Sequence, residues 1–486
     1  MSLSRHLAGY LPVNLASGLA SFGAVYVFTR VLGAEEYGVY ALMLWAMAMI
    51  HTVSLTWVEA AAYRFTADAE ASGTLADHYA TAASLMLKAL VIALGLAGLV
   101  WFGLRGMPHY AATMPWIAAL LPLNLVVQVA LQEHKAGLRV RRYAFTETFR
   151  LLTGFALGAL VALKTGLGAA APFAGLAGAA FLMALREGVW LAGAARGGRT
   201  TRAKEKAWAA YGLPVAAALI LDLVVSGIDR PMIAALMPEG EAAVGAYAAG
   251  YGVADKTVLL LCAWAAMAGS PLVMAAYERG GRAAAAEAAR GLIRTLLFVG
   301  IPAAVGIALV ARPLGEAMIG EAVRAQAIAI MPWIAASGLL NGLLIHYFAE
   351  AFQLARRTHE RAILMLVPAA VNVVLNFLLI PHFGLMGAVA ATLVCYATGV
   401  LLLALAGRRH VALPVPVGDL ACIGLAALAM WPVVWMLPDL GGWSELLLKA
   451  GAGALAYAAA ALVLDAGGAR TIVRDRLGKT GTPPAT

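Results

Sequence analysis

Charge is in short supply. Lys, Arg, Asp and Glu make up 13% of the 486 residues, against about 25% in soluble domains. Cysteine is scarcer: Cys262, Cys395 and Cys422 are all there are, each inside an apolar stretch. No disulfide or metal-ligand spacing follows from them, and they read as small buried apolar side chains. Long polar connections are missing as well. The links between apolar stretches reach at most about twenty residues. Four on one side (105–112, 166–170, 381–384 and 438–442) are too small to hold a catalytic region outside the membrane. No zinc-ligand set, nucleophile elbow, phosphate-cradling loop or dinucleotide fingerprint occurs in the other loops. Movement of a substrate is therefore favoured over chemistry on one, and no soluble basic domain exists to bind nucleic acid.

What is present is apolar, 62% of the chain. A run of about 18 or more apolar residues crosses a membrane, because a helix rises 1.5 Å per residue and the hydrocarbon is about 30 Å thick. Fourteen runs can be drawn, at roughly 9–29, 38–60, 80–104, 113–132, 145–164, 171–194, 209–230, 244–269, 292–311, 323–349, 362–380, 385–407, 418–437 and 443–466. They are continuous, whereas a β-barrel needs short alternating strands. The fold class is thus an all-α polytopic membrane protein with about 14 transmembrane helices.

Basic residues cluster on alternate connections: Lys135 to Arg142, Arg196 to Lys206, Arg279 to Arg294, Arg356 to Arg361, Arg408-Arg409 and Arg470 to Lys479. Basic loops resist translocation, so both termini are expected in the cytoplasm. The net charge of +9 is then a topology signal and an attraction for anionic membrane lipids. A cleavable signal peptide over residues 1–20 is the alternative there, but its removal deletes the counterpart of the seventh span.

That counterpart exists because the chain repeats. Met-Pro-Trp-Ile-Ala-Ala occurs at 114–119 and 331–336, with Asn124 and Glu133 matched by Asn341 and Glu350. Leu11-Pro12-Val13 recurs as Leu213-Pro214-Val215, and Gly38-Val39-Tyr40-Ala41 as Gly245-Ala246-Tyr247-Ala248. The shared order and offset mark two copies of a six-span unit in the same orientation, a plan common among secondary transporters. The expected organisation is a first lobe at 1–200, a second at 201–411, two extra spans at 412–467 and a cytoplasmic tail at 468–486. Residues 277–290 are expected to form a helix on the inner surface, with 312–324 its counterpart outside. Pro12, Pro214, Pro332 and Pro368 are expected to kink their helices.

Charges inside the bilayer are costly and usually face a cavity or a partner. Asp255 and Lys256 lie near the middle of the eighth span. Asp222 lies near the middle of the seventh, with Ser226 and Asp229 on the same face and Arg230 near the outer end. Two acids beside a base suit a site that binds an anionic head and exchanges a cation; an ion pair that only packs is the alternative. The first lobe offers Glu59 and Arg64 at the inner end of the second span, Lys88 in the third and Arg186 in the sixth. Snorkelling to the headgroups is the alternative for Lys88 and Arg186, and a purely interfacial position that for Glu59 and Arg64. Arg150 and Lys449 read as anchors. His51 reads as an interface histidine or a proton carrier, and the asparagines as interhelical hydrogen-bonding groups.

Three segments then point to a family. Thr29 to Tyr40 resembles the first outer loop of polysaccharide transporter (Wzx-type) oligosaccharide flippases. Asp229-Arg230, Val244 to Tyr247 and Lys256 resemble their seventh and eighth spans, and Asn376 to Ala388 the join of their eleventh and twelfth. These patterns belong to the wider multidrug/oligosaccharidyl-lipid/polysaccharide (MOP) superfamily. The resemblance implies two six-helix lobes around a V-shaped cavity that opens alternately to either side. It also implies movement of undecaprenyl-pyrophosphate-linked oligosaccharide across the bacterial inner membrane, without a cofactor but with H+ or Na+ coupling. Carried over by position, Lys256 and Arg230 are the expected pyrophosphate contacts and Asp222, Asp229 and Asp255 the expected coupling acids; Lys88, Arg64 and Arg186, and Glu59, are added to these two sets from their charge and place in the first lobe. A glycan polymerase and glycosyltransferases of the same pathway are the expected protein partners. A lipid II flippase, a multidrug exporter and a membrane-embedded glycan polymerase are the alternatives.

Overall fold

The computed structural model describes residues 3–471; the cytoplasmic tail expected at 468–486 lies almost wholly outside the described residues. Among these the regular structure is helical throughout. The chain begins with α1 (Leu3–Val31), α2 (Ala34–Ser54), α3 (Thr56–Ala71), α4 (Leu75–Leu104), α5 (Pro108–Ala136), α6 (Val140–Lys164), α7 (Ala171–Ala194), α8 (Arg202–Gly227) and α9 (Asp229–Leu236). It continues with α10 (Gly240–Leu309), α11 (Ala311–Met318), α12 (Glu321–Leu343), α13 (Glu350–Leu354), α14 (Thr358–Leu364) and α15 (Leu366–Phe383). It closes with α16 (Leu385–Gly407), α17 (Val417–Leu428), α18 (Met430–Trp435) and α19 (Gly442–Leu464).

Thirteen helical segments among the described residues are long and apolar enough to cross a membrane. One of them, α10, has 70 residues, about 105 Å of helix against about 30 Å of hydrocarbon. Gly281 resolves the excess: its φ of 65° and ψ of −153° are non-helical, a conformation open to glycine because it lacks Cβ. The arms 240–280 and 282–309 are therefore separate crossings, which brings the total to the expected fourteen. No separate surface helix forms at 277–290; those residues are the facing ends of the two arms. On the opposite side, α11 does supply a short helix at 311–318.

Proline marks the joints within several spans. Pro231, Pro368 and Pro432 each lack the N–H that would reach the carbonyl four residues earlier, and helices end at Gly227, Leu364 and Leu428 accordingly. Pro12, Pro214 and Pro332 lie inside helices that stay continuous. The joint at Leu55 has no proline. There the Ser54 hydroxyl donates to the Ile50 carbonyl at 2.5 Å, and the Trp57 indole donates to the Ser54 carbonyl at 2.8 Å.

Packing divides the chain between Gly245 and Ala246, later than the repeat boundary near residue 200. In the first unit α6 lies against α7 and α1, α5 against α7, and α8 against α3 and α2. The α3–α8 contact is close enough that a Cβ on Gly212 would overlap the Trp57 carbonyl, so the seventh span is held by the first six. In the second unit α16 packs on α15 and α12, while α19 packs on α11, α17 and α18. The two final spans are thus part of that unit's body.

Candidate functional site

In the first unit the charged residues gather at helix joints. Asp222 and Ser226 are half-buried on α8, whereas Asp229 is buried on α9, beyond the interruption at Ile228. The stripe expected along one face thus runs across the joint that Pro231 creates, where Ile228 keeps helical dihedrals of −62° and −21°. Arg230 bends back so that Nη1 donates to the Ser226 carbonyl at 3.3 Å, a group at the C-terminal, electronegative end of α8. The Trp45 indole of α2 donates to the Leu223 carbonyl of α8 at 3.5 Å. Asp222, Asp229, Arg230 and Trp45 accordingly share the α2–α8–α9 region.

Glu59 sits below this region on α3, buried, with Oε1 2.7 Å from His51 Nε2 across the Leu55 joint. Their pairing resolves the two expectations for His51 and Glu59 into a single contact.

Three expected cavity cations lie elsewhere and are held by carboxylates of this unit. Lys88 Nζ is 2.6 Å from Glu205 Oε2, which also accepts from the Ser84 hydroxyl through Oε1. Arg64 is 3.1 Å from Asp68, one helical turn on. Arg186 lies 3.8 Å from Glu187 and covers the Phe145 ring.

In the second unit, Asp255 and Lys256 occupy different faces of the first α10 arm, as successive helical residues must. Asp255 is 4% exposed and Lys256 is exposed. The Asp255 carboxylate lies against Gly338 of α12, so a small residue there gives the acid its place. One polar seam ties α10 to α16: the Tyr247 and Thr392 hydroxyls are 3.3 Å apart, and those of Tyr251 and Tyr396 3.1 Å. Asn376 donates to Asn372 at 3.0 Å within α15, both side chains fully buried.

Lys449 is not the headgroup anchor expected of it. It is 8% exposed and bound to Asp439 at 2.6 Å and Glu445 at 2.8 Å. It closes one end of an apolar groove of about 440 Å³. Phe298 and Pro302 of α10, Met430 and Val434 of α18, and Tyr457 of α19 line the groove. Outside it, Arg312 bonds Glu316 at 3.1 Å and Asp439 at 3.5 Å. The Gly442 N–H holds the Glu316 carboxyl below its ordinary range, and Lys449 does the same for Asp439. Arg150 likewise pairs with Glu147, at 2.7 Å.

Sequence reasoning passed over a buried group at the end of the first unit that carries the basic connections. Glu133, His134 and Glu187 have no exposed surface, and His78 has 5%. Glu133-His134 and Arg186-Glu187 are acids beside bases at the ends of apolar runs, and that adjacency was the available signal.

A family model described as "Polysaccharide biosynthesis protein" matches residues 6–272, more than half of the chain. No curated protein matches it. Among solved structures, "Lipid II flippase MurJ, inward closed conformation" is 14% identical, with a TM-score of 0.75 over 96% of this chain and 99% of that one. Inward-facing and outward-facing conformations of a multidrug resistance MATE family transporter give TM-scores of 0.56 and 0.59, at 15% and 14% identity. Each covers 82% of this chain and 94% of its own. At these identities the likeness is one of fold. The chain belongs to the polysaccharide biosynthesis protein family, as a multi-pass membrane protein whose fold is like those of MurJ and of a MATE family transporter.

Proposed function

We propose that this protein is a flippase, not an enzyme, that carries a polyprenyl-pyrophosphate-linked oligosaccharide from the cytoplasmic to the outer leaflet of a bacterial inner membrane. The observation that carries the reading is the extent of the fold likeness. The MurJ comparison takes in 96% of the chain, too much to leave out the last two spans, whereas the MATE comparisons stop at 82%. Those spans help line the 440 Å³ groove, whose walls suit a hydrocarbon chain: each buried methylene contributes about 0.8 kcal/mol. A lipid tail can stay in such a groove or in the bilayer, while the charged head needs a polar route across about 30 Å of hydrocarbon.

In this scheme Lys256 and Arg230 receive the pyrophosphate, and Asp222, Asp229, Asp255 and Glu59 exchange the coupling ion, H+ or Na+. Rocking of one unit against the other alternates access, and pathway glycosyltransferases and a polymerase act before and after the step. The test is deletion in the native host. Loss of surface glycan, with its lipid-linked repeat unit accumulating on the inner leaflet, supports the reading. Unchanged surface glycan overturns it. The MurJ likeness favours lipid II as the second cargo, and arrest of peptidoglycan synthesis on deletion would select it instead.

A further inference from the structure

The tenth span contains a turn that its copy in the first unit lacks. Between α12 and α13, residues Leu344–Phe348 form a π turn. In it the Ala349 N–H reaches back five residues to the Leu344 carbonyl, at 3.1 Å. An α-helix bonds four residues back, so such a turn holds one residue more than the helix around it. The matching stretch of the fourth span lies inside α5, one unbroken α-helix from Pro108 to Ala136.

The repeat counts the extra residue. Met114 and Met331 stand 217 residues apart, and so do Asn124 and Asn341. Past the π turn the separation is 218. At the end of α5 the Gly137, Leu138 and Arg139 N–H groups bond the carbonyls of Glu133, Lys135 and His134. At the end of α13 the Ala355, Arg356 and Arg357 N–H groups bond those of Ala351, Gln353 and Phe352. Leu138 and Arg356 both turn left-handed, with φ of 54° and 56°. The two helix ends match bond for bond, one residue out of step with the sequence before them. The surplus therefore lies between Asn341 and Ala351, where the π turn is. Ala351, not Glu350, takes the place of Glu133. Glu350 is turned from that place by one residue, about 100° around the helix axis and about 1.5 Å along it.

The first unit builds the same crossing and the same helix end without the surplus, so the fold does not require it. Within hydrocarbon a departure from α bonding is costly, because no water satisfies the displaced backbone groups. Single π turns inside α-helices are frequent at functional sites. Both ends of this one are fastened. Leu344 lies against Gly399 of α16, and the Tyr347 hydroxyl donates to the Pro414 carbonyl at 2.5 Å. Ile345 between them is 37% exposed. Beyond the turn the Phe352 ring meets that of His410, just after α16, with centroids 5.4 Å apart. A change of register between these holds moves one end of the span against the other.

We propose that the inserted residue makes a register joint in the tenth span. Closing the π turn to α draws the end that carries Arg356, Arg357 and Arg361 by one residue, and this movement is a step of transport. The transport part rests on the flippase reading; the joint itself does not. Two deletions test it, of Ile345 and of Gln128, its counterpart on α5. Without the surplus residue the purified full chain should melt within about 5 °C of wild type. The α5 deletion turns every later side chain of that helix by about 100° and should lower the melt by about 10 °C or more. Leaflet exchange of a fluorescent polyprenyl-pyrophosphate oligosaccharide in vesicles should fall at least about tenfold without Ile345. In wild type in lipid nanodiscs, amides 344–349 should exchange with deuterium at least about tenfold faster than amides 127–132. Three results overturn the proposal: an Ile345 deletion that melts further below wild type or no higher than the Gln128 deletion, one that transports at the wild-type rate, or amide exchange no faster than in α5. A wild type that moves no cargo overturns the flippase reading instead, and the melts and the exchange still decide the joint.

Discussion

Glu187→Ala tests whether the buried cluster holds the first unit together. The carboxylate accepts from three side chains, and its removal strands His134 and Thr146, both with no exposed surface. Arg142 is 28% exposed and can turn partly to water. Breaking a buried charged pair from one side costs about 3–5 kcal/mol, and an orphaned hydroxyl about 1 kcal/mol more. A loss of about 4–6 kcal/mol is large against a typical stability of about 5–15 kcal/mol. For a unit of this size each kcal/mol moves the melting temperature by about 2–4 °C, so the variant should melt about 8–24 °C lower. Glu187→Gln keeps an acceptor for Thr146 and should lose about half as much. Circular dichroism melts of the purified full chain in one detergent measure both. An alanine variant within about 2 °C of wild type refutes the reasoning.

Gly212→Val forces a side chain into the Trp57 carbonyl, and overpacking of this kind costs about 1–3 kcal/mol; an unchanged melt means that α3 and α8 are not held there. Asp439 and Glu316 sit below their ordinary values of 3.8 and 4.5. The stability they add is therefore fully present above those values and lost as pH falls through the lowered ones. Melts of wild type and Asp439→Asn should differ at pH 7 and converge in acid; a gap that persists in acid contradicts this. Lys256→Ala and Arg230→Ala should each abolish glycan export with membrane insertion intact, and normal surface glycan in both removes their assignment. Asp222→Asn should make transport insensitive to the coupling gradient, which gradient-clamped vesicles measure; unchanged dependence excludes its role.

The crossings were legible because hydrocarbon leaves the backbone few options: every N–H and C=O must be satisfied within the segment, so apolar length alone declares a helix. The joints were half legible. Pro368 and Pro231 announce missing hydrogen bonds, but the Leu55 joint depends on Ser54 and Trp57 bonding to nearby backbone, which no composition rule marks. Gly281 was hidden in an Ala- and Arg-rich stretch that reads as a surface helix until its φ is known. Lys449 near a span end looked like an anchor because Asp439, which binds it together with Glu445 one helical turn away, lies across a turn that only the fold closes. Glu133, His134 and Glu187 escaped notice for the same reason. Each stands beside a residue of opposite sign in sequence, yet its partner is on another helix.

The flippase claim is tested most directly by leaflet exchange in vesicles containing the purified full chain and a fluorescent polyprenyl-pyrophosphate oligosaccharide. The account predicts that a reagent confined to the outside quenches about half of the fluorescence in protein-free vesicles and nearly all of it when the protein is present, with Lys256→Ala returning the protein-free value. Protein-containing vesicles that keep half their signal, or a Lys256→Ala variant as active as wild type, would contradict it.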